Sequence, residues 1–271
     1  MQLLKPENVP TVESNSTDYV LKTIEGEPRR LLKHEIFSQF GTPLLGLGDI
    51  TRRATTTDAI AAIFDLQGFS NFCKQLDPQL AVPIFLNEFL AWLMDQIREQ
   101  MAQTRFSEGI TLHCPLPFFV KFMGDGLLVL WDASEASEAG RRNMIISCWT
   151  ICRNYVSRFH KEISQKVLDA PPVLRCGIAR GVVYSVGHDK DYVGSCINMA
   201  AKIQKLPGAT FAFDPRGFAL DQESIVDFFK TKVLTARTAV QGIGENELVG
   251  MLKDEYERMA AAEKRQFAIL G

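Results

Sequence analysis

The chain has 271 residues, 46% hydrophobic and 23% charged, with 19 Gly and 12 Pro. That profile is globular and excludes collagen-like, low-complexity and disordered classes. Lys and Arg number 30 against 32 Asp and Glu, a formal charge of −2, which argues against a protein built to coat nucleic acid and leaves only a local basic patch open.

The length suits one large domain with an extension, or two small domains. Six cysteines occur, with no C-x-x-C pair, and the four histidines are scattered, so no zinc spacing is present. They read as reduced, buried thiols of a cytosolic chain. Met1-Gln2-Leu3-Leu4-Lys5-Pro6 lacks the basic-then-apolar order of a signal peptide, and no apolar run reaches the roughly 18 residues of a spanning helix. The expectation is a soluble cytoplasmic protein with no membrane and no nucleic-acid partner.

Residues 1–55 are mixed, with weak apolar clusters at Leu31-Leu32 and Pro43 to Gly48. They read as an N-terminal extension. Ala59 to Phe64 is a short apolar run broken by Asp65-Leu66-Gln67-Gly68, which predicts a buried strand. After Asp77-Pro78, the residues Leu80, Ile84, Phe85, Phe89, Leu93, Ile97 and Met101 recur at three- and four-residue steps. They predict a long amphipathic helix, with Phe85, Phe89 and Trp92 as core. Phe118 to Met123 and Leu127 to Trp131 flank Gly124-Asp125-Gly126 and predict a hairpin. A second long helix is expected over 136–167, ended by Pro171-Pro172. Val173 to Ala179 and Val182 to Val186 read as a strand pair. A short helix (195–206), a strand (210–213), a helix (215–229), late strands (232–238 and 247–252) and a helical tail (253–271) complete the prediction. The order strand, helix, hairpin, helix, strand is a split β-α-β-β-α-β, ferredoxin-like α+β arrangement: a mixed sheet with helices over one face.

Two carboxylates stand out. Asp65 ends an apolar strand and Asp125 sits in the turn of an apolar hairpin. In the split fold, the first strand and the hairpin are neighbours. Paired carboxylates with few other protein ligands suit Mg²⁺ or Mn²⁺ held together with substrate phosphates. The same residues also fit a plain turn and a cap. Gly68 and Phe69 lie in the following turn, whose backbone N–H groups suit a phosphate. Cys148 and Cys152, one helical turn apart, fit two core thiols or a metal pair.

Phe64-Asp65-Leu66-Gln67-Gly68-Phe69-Ser70 resembles the F-x-D-[IV]-x-G-F-[TS] opening of class III nucleotidyl cyclase domains. Val120 to Gly126 is similar to their K-x-I-G-D-[AG] hairpin, and Leu174 to Gly181 to their L-R-x-G-I-x-x-G strand. Tyr192 to Lys202 is similar to their G-x-x-V-N-x-A-[SA]-R helix. The four motifs stand in the family's order and divide the chain into an extension (1–55), a catalytic domain (56–252) and the tail (253–271).

The resemblance implies a homodimer with sites made at the interface. One protomer would hold two Mn²⁺ or Mg²⁺ ions through Asp65, Asp125 and the backbone carbonyl of Leu66. The partner copy would supply Lys121 and Asp191 toward the base, and Asn198 and Lys202 toward ribose and phosphate. Arg180 is a candidate phosphate contact. Lys202 departs from the family's Arg and lacks its bidentate fork. No clear basic triphosphate contact appears near the late strands, where Arg237 and Lys232 are the nearby cations.

The choice of base stays open on hydrogen-bond logic, since a Lys donor and an Asp acceptor serve adenine, cytosine and uracil in different pairings. Phe69 to Pro78, Phe89 to Leu93 and the stand-alone architecture resemble the bacterial pyrimidine cyclases of Pycsar antiphage systems. This resemblance implies a nucleoside triphosphate substrate, UTP ahead of CTP, and a cyclic product read by a downstream effector. The alternatives are an adenylate cyclase and a catalytically degenerate nucleotide-binding module.

Overall fold

The computed structural model describes residues 20–31, 33–38, 41–42, 46–75, 77–107, 110–113, 116–220 and 227–270. Leu32, Pro43 to Leu45, Cys114 and 221–226 lie outside the described residues. The chain forms two compact units.

The smaller unit gathers the described residues up to Thr56 with Tyr184–Val193. A hairpin of β1 (Val20–Ile24) and β2 (Glu27–Leu31) is followed by the short helix α1 (His34–Ser38). The segment before Thr56 is fastened to Ser185, whose hydroxyl accepts from Thr55 N and Oγ1, each at 2.9 Å. Gly187 and Gly48 approach backbone to backbone: a Cβ on Gly48 would stand 1.9 Å from the Gly187 carbonyl. Both glycines have left-handed φ, so the contact needs Gly twice over.

The larger unit carries the predicted split fold. Its first strand, β3 (Thr56–Gln67), leads through α2 (Phe69–Phe72) into α3 (Pro78–Met101). A hairpin of β4 (Ala102–Ser107) and β5 (Ile110–His113), which sequence reading missed, precedes β6 (Pro117–Met123) and β7 (Gly126–Asp132). Next come α4 (Glu138–Asn154), a π-helical turn (Tyr155–Phe159) and α5 (His160–Ile163), where one continuous helix was expected. The strand β8 (Val173–Val186) follows; its last residues and most of β9 (Asp191–Gly194), which pairs with it, belong to the smaller unit. The chain ends with α6 (Ser195–Ile203), β10 (Phe211–Phe213), α7 (Asp227–Lys232), β11 (Val233–Val240), β12 (Gly244–Leu252), α8 (Lys253–Arg258), α9 (Ala261–Lys264) and β13 (Ala268–Leu270).

The sheet runs β13-β11-β12-β10-β8-β3-β7-β6. The last four in this order, β8-β3-β7-β6, are the fourth, first, third and second strands of the split motif. β10 runs parallel to β8, whereas β3/β7 and β6/β7 are antiparallel, so the sheet is mixed. Strand alternation sorts its side chains. Ile60, Ala62, Phe64 and Leu66 of β3 join Leu127, Val129 and Trp131 of β7 and Leu174, Cys176 and Ile178 of β8 in one buried cluster. Phe85, Phe89, Leu93 and Ile97 of α3, and Met144, Ile145, Cys148 and Ile151 of α4, cover that face. Phe72 packs tilted on Phe85, which stacks on Phe89, with centroids 5.1 and 5.8 Å apart. Such pairs add about 0.5–1.5 kcal/mol each beyond their buried area. By length and composition alone α3 resembles a membrane span, but this buried face makes it a core helix of the sheet.

Several expectations are corrected. The predicted strand pair at 173–186 is one strand, because Gly181 makes no turn; it lets Cys196 of α6 approach to 3.3 Å of a would-be Cβ. The predicted helix at 215–229 is helical only over Asp227–Lys232 among its described residues. Gly217 and Ala219 are left-handed (φ 84° and 48°), which breaks a helix. The tail is not wholly helical, since β13 pairs with β11 at the sheet edge. Leu80 and Ile84, expected on the buried face of α3, are exposed. Cys148, Cys152 and Cys176 are buried thiols without a disulfide, gathered between α4 and β8.

Candidate active site

Asp65 and Asp125 meet where β3 and the β6–β7 turn abut. Asp65 lies opposite Gly126 in the antiparallel register. The Leu66 N–H donates to the Asp125 carbonyl at 3.1 Å, which ties the turn to the strand end. Gly126 cannot be larger without disturbance: a Cβ there would sit 2.7 Å from the Phe64 carbonyl. Gly124 adopts φ 77°, which lets a two-residue turn present Asp125.

The electrostatics mark the pair as incomplete. Burial pushes the Asp65 carboxyl above its usual range, and the nearby Asp125 charge pushes it further. Lys205 and Arg175 pull the other way. Two like charges held together and half-buried call for a cation. Among the described residues no group of three or more His, Cys, Asp and Glu side chains is placed to hold a metal ion. A carboxylate pair short of side-chain ligands fits a hard divalent ion that keeps water and substrate oxygens as its other partners, as Mg²⁺ and Mn²⁺ do. The main chain of Leu66 is adjacent, and its side chain is buried core.

Gly68 follows with φ 87°, a left-handed residue that caps the four-residue α2. The Phe69 ring packs on Phe72 and Phe85, with centroids 5.9 and 6.3 Å away.

Strand alternation also assigns the site's face. Asp65 points opposite to Phe64 and Leu66, as Arg175 points opposite to Leu174 and Cys176. Arg175 Nε donates to Gln67 Oε1 at 3.2 Å, beside the carboxylate pair. On this face α6 packs against β8 at Gly177, where a Cβ would stand 2.1 Å from the Ala200 carbonyl. Cys196, Ile197, Met199, Ala200 and Ile203 of α6 are buried. Asn198 and Lys202, four residues apart, are exposed on its other side, and Lys205 continues their stripe past the helix end. Sequence reading missed both Arg175 and Lys205. The signal available was Arg175's place two residues before Gly177, and Lys205's place seven after Asn198.

The remaining candidates stand on other elements. Lys121 is exposed on the edge strand β6, opposite Leu128. Asp191 opens β9 in the smaller unit, and its carboxylate accepts from the Tyr192 N–H at 2.9 Å. The Tyr192 hydroxyl reaches Asp189 at 3.0 Å, and burial with that neighbour pushes its pKa up to about 12. Arg180 is occupied within the fold. Its guanidinium donates to both Asp58 oxygens, Nη2 to Oδ2 at 2.6 Å, and to the Gly217 carbonyl at 2.7 Å. Asp58 and Asp65 are seven residues apart on β3, roughly 23 Å at strand rise. Arg180 therefore ties β8 to the far end of β3 from the carboxylate pair. Arg237 Nη1 donates to the Asn246 carbonyl at 3.1 Å.

No protein-family model and no curated protein matches this chain. Among solved structures it is similar to the guanylyl cyclase Cya2, with a TM-score of 0.51 and 16% identity over 74% of this chain and 94% of that one. The catalytic core of a rhodopsin-guanylyl cyclase with converted specificity, in complex with ATPαS, matches with a TM-score of 0.49 and 15% identity over 74% and 98%. An adenylate/guanylate cyclase/hydrolase from Silicibacter pomeroyi matches with a TM-score of 0.45 and 16% identity over 74% and 99%. At these identities the likeness is one of fold, and the match to Cya2 carries it. With its mixed sheet, the helices α3 and α4 over one face and the acidic pair at the end of β3, the chain has the class III nucleotidyl cyclase fold.

Proposed function

We propose that the protein is a nucleotidyl cyclase that converts a pyrimidine nucleoside triphosphate, UTP ahead of CTP, into its 3′,5′-cyclic monophosphate and pyrophosphate. The observation that carries this reading is the convergence of Asp65 and Asp125 into a half-buried pair, in which the Asp65 carboxyl stays raised although Lys205 and Arg175 oppose the shift. In the reaction the 3′-oxygen forms a bond to the α-phosphorus as the bond to pyrophosphate breaks. Pyrophosphate leaves with the electron pair, and the hydroxyl proton passes to solvent.

Asp65, Asp125 and the Leu66 carbonyl would hold Mn²⁺ or Mg²⁺. When bound, such ions lower the hydroxyl pKa and neutralise charge on the attacking and leaving oxygens. The Gly68 turn offers backbone N–H groups to phosphate oxygens. Arg175, anchored by Gln67, adds positive charge beside them. A second copy of the chain in a closed two-fold dimer supplies the rest. In that arrangement Lys121 and Asp191 orient the base, while Asn198 and Lys202 orient the ribose and oppose the charge that develops on phosphate. The cyclic product serves as a second messenger for antiviral defence, sensed by a downstream effector. The pyrimidine choice and this setting rest on the resemblance of Phe69 to Pro78 and Phe89 to Leu93 to the pyrimidine cyclases.

Lys202, standing where the resembling motif has Arg, favours a second reading, a nucleotide-binding module without turnover. The purified chain with Mn²⁺ and UTP, CTP, ATP and GTP in competition, with products identified by mass, decides among these. Cyclic UMP or cyclic CMP as the main product is expected. Predominant cyclic AMP overturns the base assignment, and binding without any cyclic product favours the module.

A further inference from the structure

A bound triphosphate brings about four negative charges, and two divalent ions offset that charge only in part while also serving the two carboxylates. Other cations must face the β- and γ-phosphates. Arg180 is bound to Asp58 at the far end of β3, and Arg237 donates to the Asn246 carbonyl. Lys202 lies on the α6 stripe assigned above to the partner copy's site.

Lys205 differs from these. The close approach at Gly177 seats the last turn of α6 directly on β8, with Gln204 N 2.8 Å from a would-be Cβ. Ile203 and Leu206 are buried on either side, so the backbone at Lys205 is fixed. Its N–H donates to the Lys202 carbonyl at 3.1 Å, which closes the helix end. The side chain is exposed, on the sheet face that carries Asp65 and Arg175, and its charge opposes in part the burial of the Asp65 carboxyl.

We propose that Lys205 is a triphosphate-binding residue supplied by the same protomer that carries Asp65 and Asp125. The inference rests on the nucleotidyl cyclase reading and adds a residue to that site. Without ligand, Lys205 neighbours Asp65. With divalent ions on the carboxylates, its ammonium turns to the phosphate oxygens. A Lys is suited to this exchange because its charge is compact and its stem flexible.

The test is calorimetric titration of the full chain, saturated with Mn²⁺, with inorganic tripolyphosphate. Lys205→Ala is expected to weaken binding roughly tenfold to a hundredfold, the range for a hydrogen bond to a charged group. Lys205→Arg is expected to keep the affinity, and Lys166→Ala, whose lysine pairs with Glu88, to leave it unchanged. Melting temperature without ligand monitors the fold, and Lys205→Gln serves should the alanine variant melt early. Unchanged tripolyphosphate affinity in a folded Lys205→Ala overturns the proposal, as does wild-type protein that binds no tripolyphosphate. Turnover distinguishes the two readings. Cyclisation with Lys205-independent tripolyphosphate binding removes Lys205 and leaves the cyclase. Lys205-dependent binding without cyclisation of any nucleotide keeps Lys205 and removes the cyclase.

Discussion

Asp65 occupies a position that costs the folded state. Its pKa is raised by burial and by Asp125, so the ionised form is less favourable in the folded chain than in the unfolded one. That cost is full above the folded pKa and fades as pH falls through it toward the unfolded value. Asp65→Asn is therefore expected to melt higher than the parent near pH 7 in metal-free buffer, by a few degrees, roughly what 1 kcal/mol gives a domain of this size. The difference shrinks in acid, and Mn²⁺ reverses the order by stabilising only the parent. Thermal melts at two pH values, with and without Mn²⁺, check this; equal melting at pH 7 without metal contradicts it. At this scale the sequence was legible where a residue's role is local. A strand end and a hairpin turn placed Asp65 and Asp125. The pairing of Arg180 with Asp58 was not legible because the two lie 122 positions apart. Lys205 was missed because its nearness to Asp65 depends on how α6 lands on β8.

The elements position the site through glycines that admit close approach. Gly177 lets the Ala200 carbonyl sit against β8. Gly177→Ala is expected to lift α6, costing about 1–3 kcal/mol in the manner of overpacking. It should lower turnover more than melting alone accounts for, because Asn198, Lys202 and Lys205 ride on that helix and its end. Urea unfolding and steady-state rates on the same preparation test this; wild-type turnover in the folded variant contradicts it. Glu255 of α8 plays a comparable structural part at the start of β10. Its buried carboxylate accepts from Thr210 N at 3.0 Å and from the Thr210 hydroxyl. Glu255→Ala is expected to cost about 1–3 kcal/mol by leaving donors unpaired, again read by urea unfolding, where parental stability would contradict it. The long helices, the hairpin and β3 could be read from period and turn residues. Gly181 was mistaken for a turn because glycine signals both turns and close approach, and only the neighbouring helix tells them apart. The β4–β5 hairpin gave no clear alternation, and β13 exists only because β11 offers it an edge.

At the scale of the whole molecule, the order of elements carried the fold. Strand, helix, hairpin, helix, strand yields the observed β8-β3-β7-β6 arrangement, and the added strands extend it from β8. The proposed dimer is a separate claim, because the carboxylate pair and the residues assigned to base and ribose would then act from different copies. Variants can separate them. Asp65→Asn removes the metal-holding half of a site, and Lys202→Ala removes the partner's half, so each alone is expected to be inactive. Mixed in equal amounts after reversible dissociation, they form heterodimers with one intact site and one doubly damaged one. Formation of cyclic UMP or cyclic CMP from UTP and CTP in that mixture is the most direct measurement. Recovery to roughly a quarter of parental activity is predicted for random pairing in a closed two-fold dimer. A mixture as inactive as its components, with both variants folded and dimeric, would contradict the account.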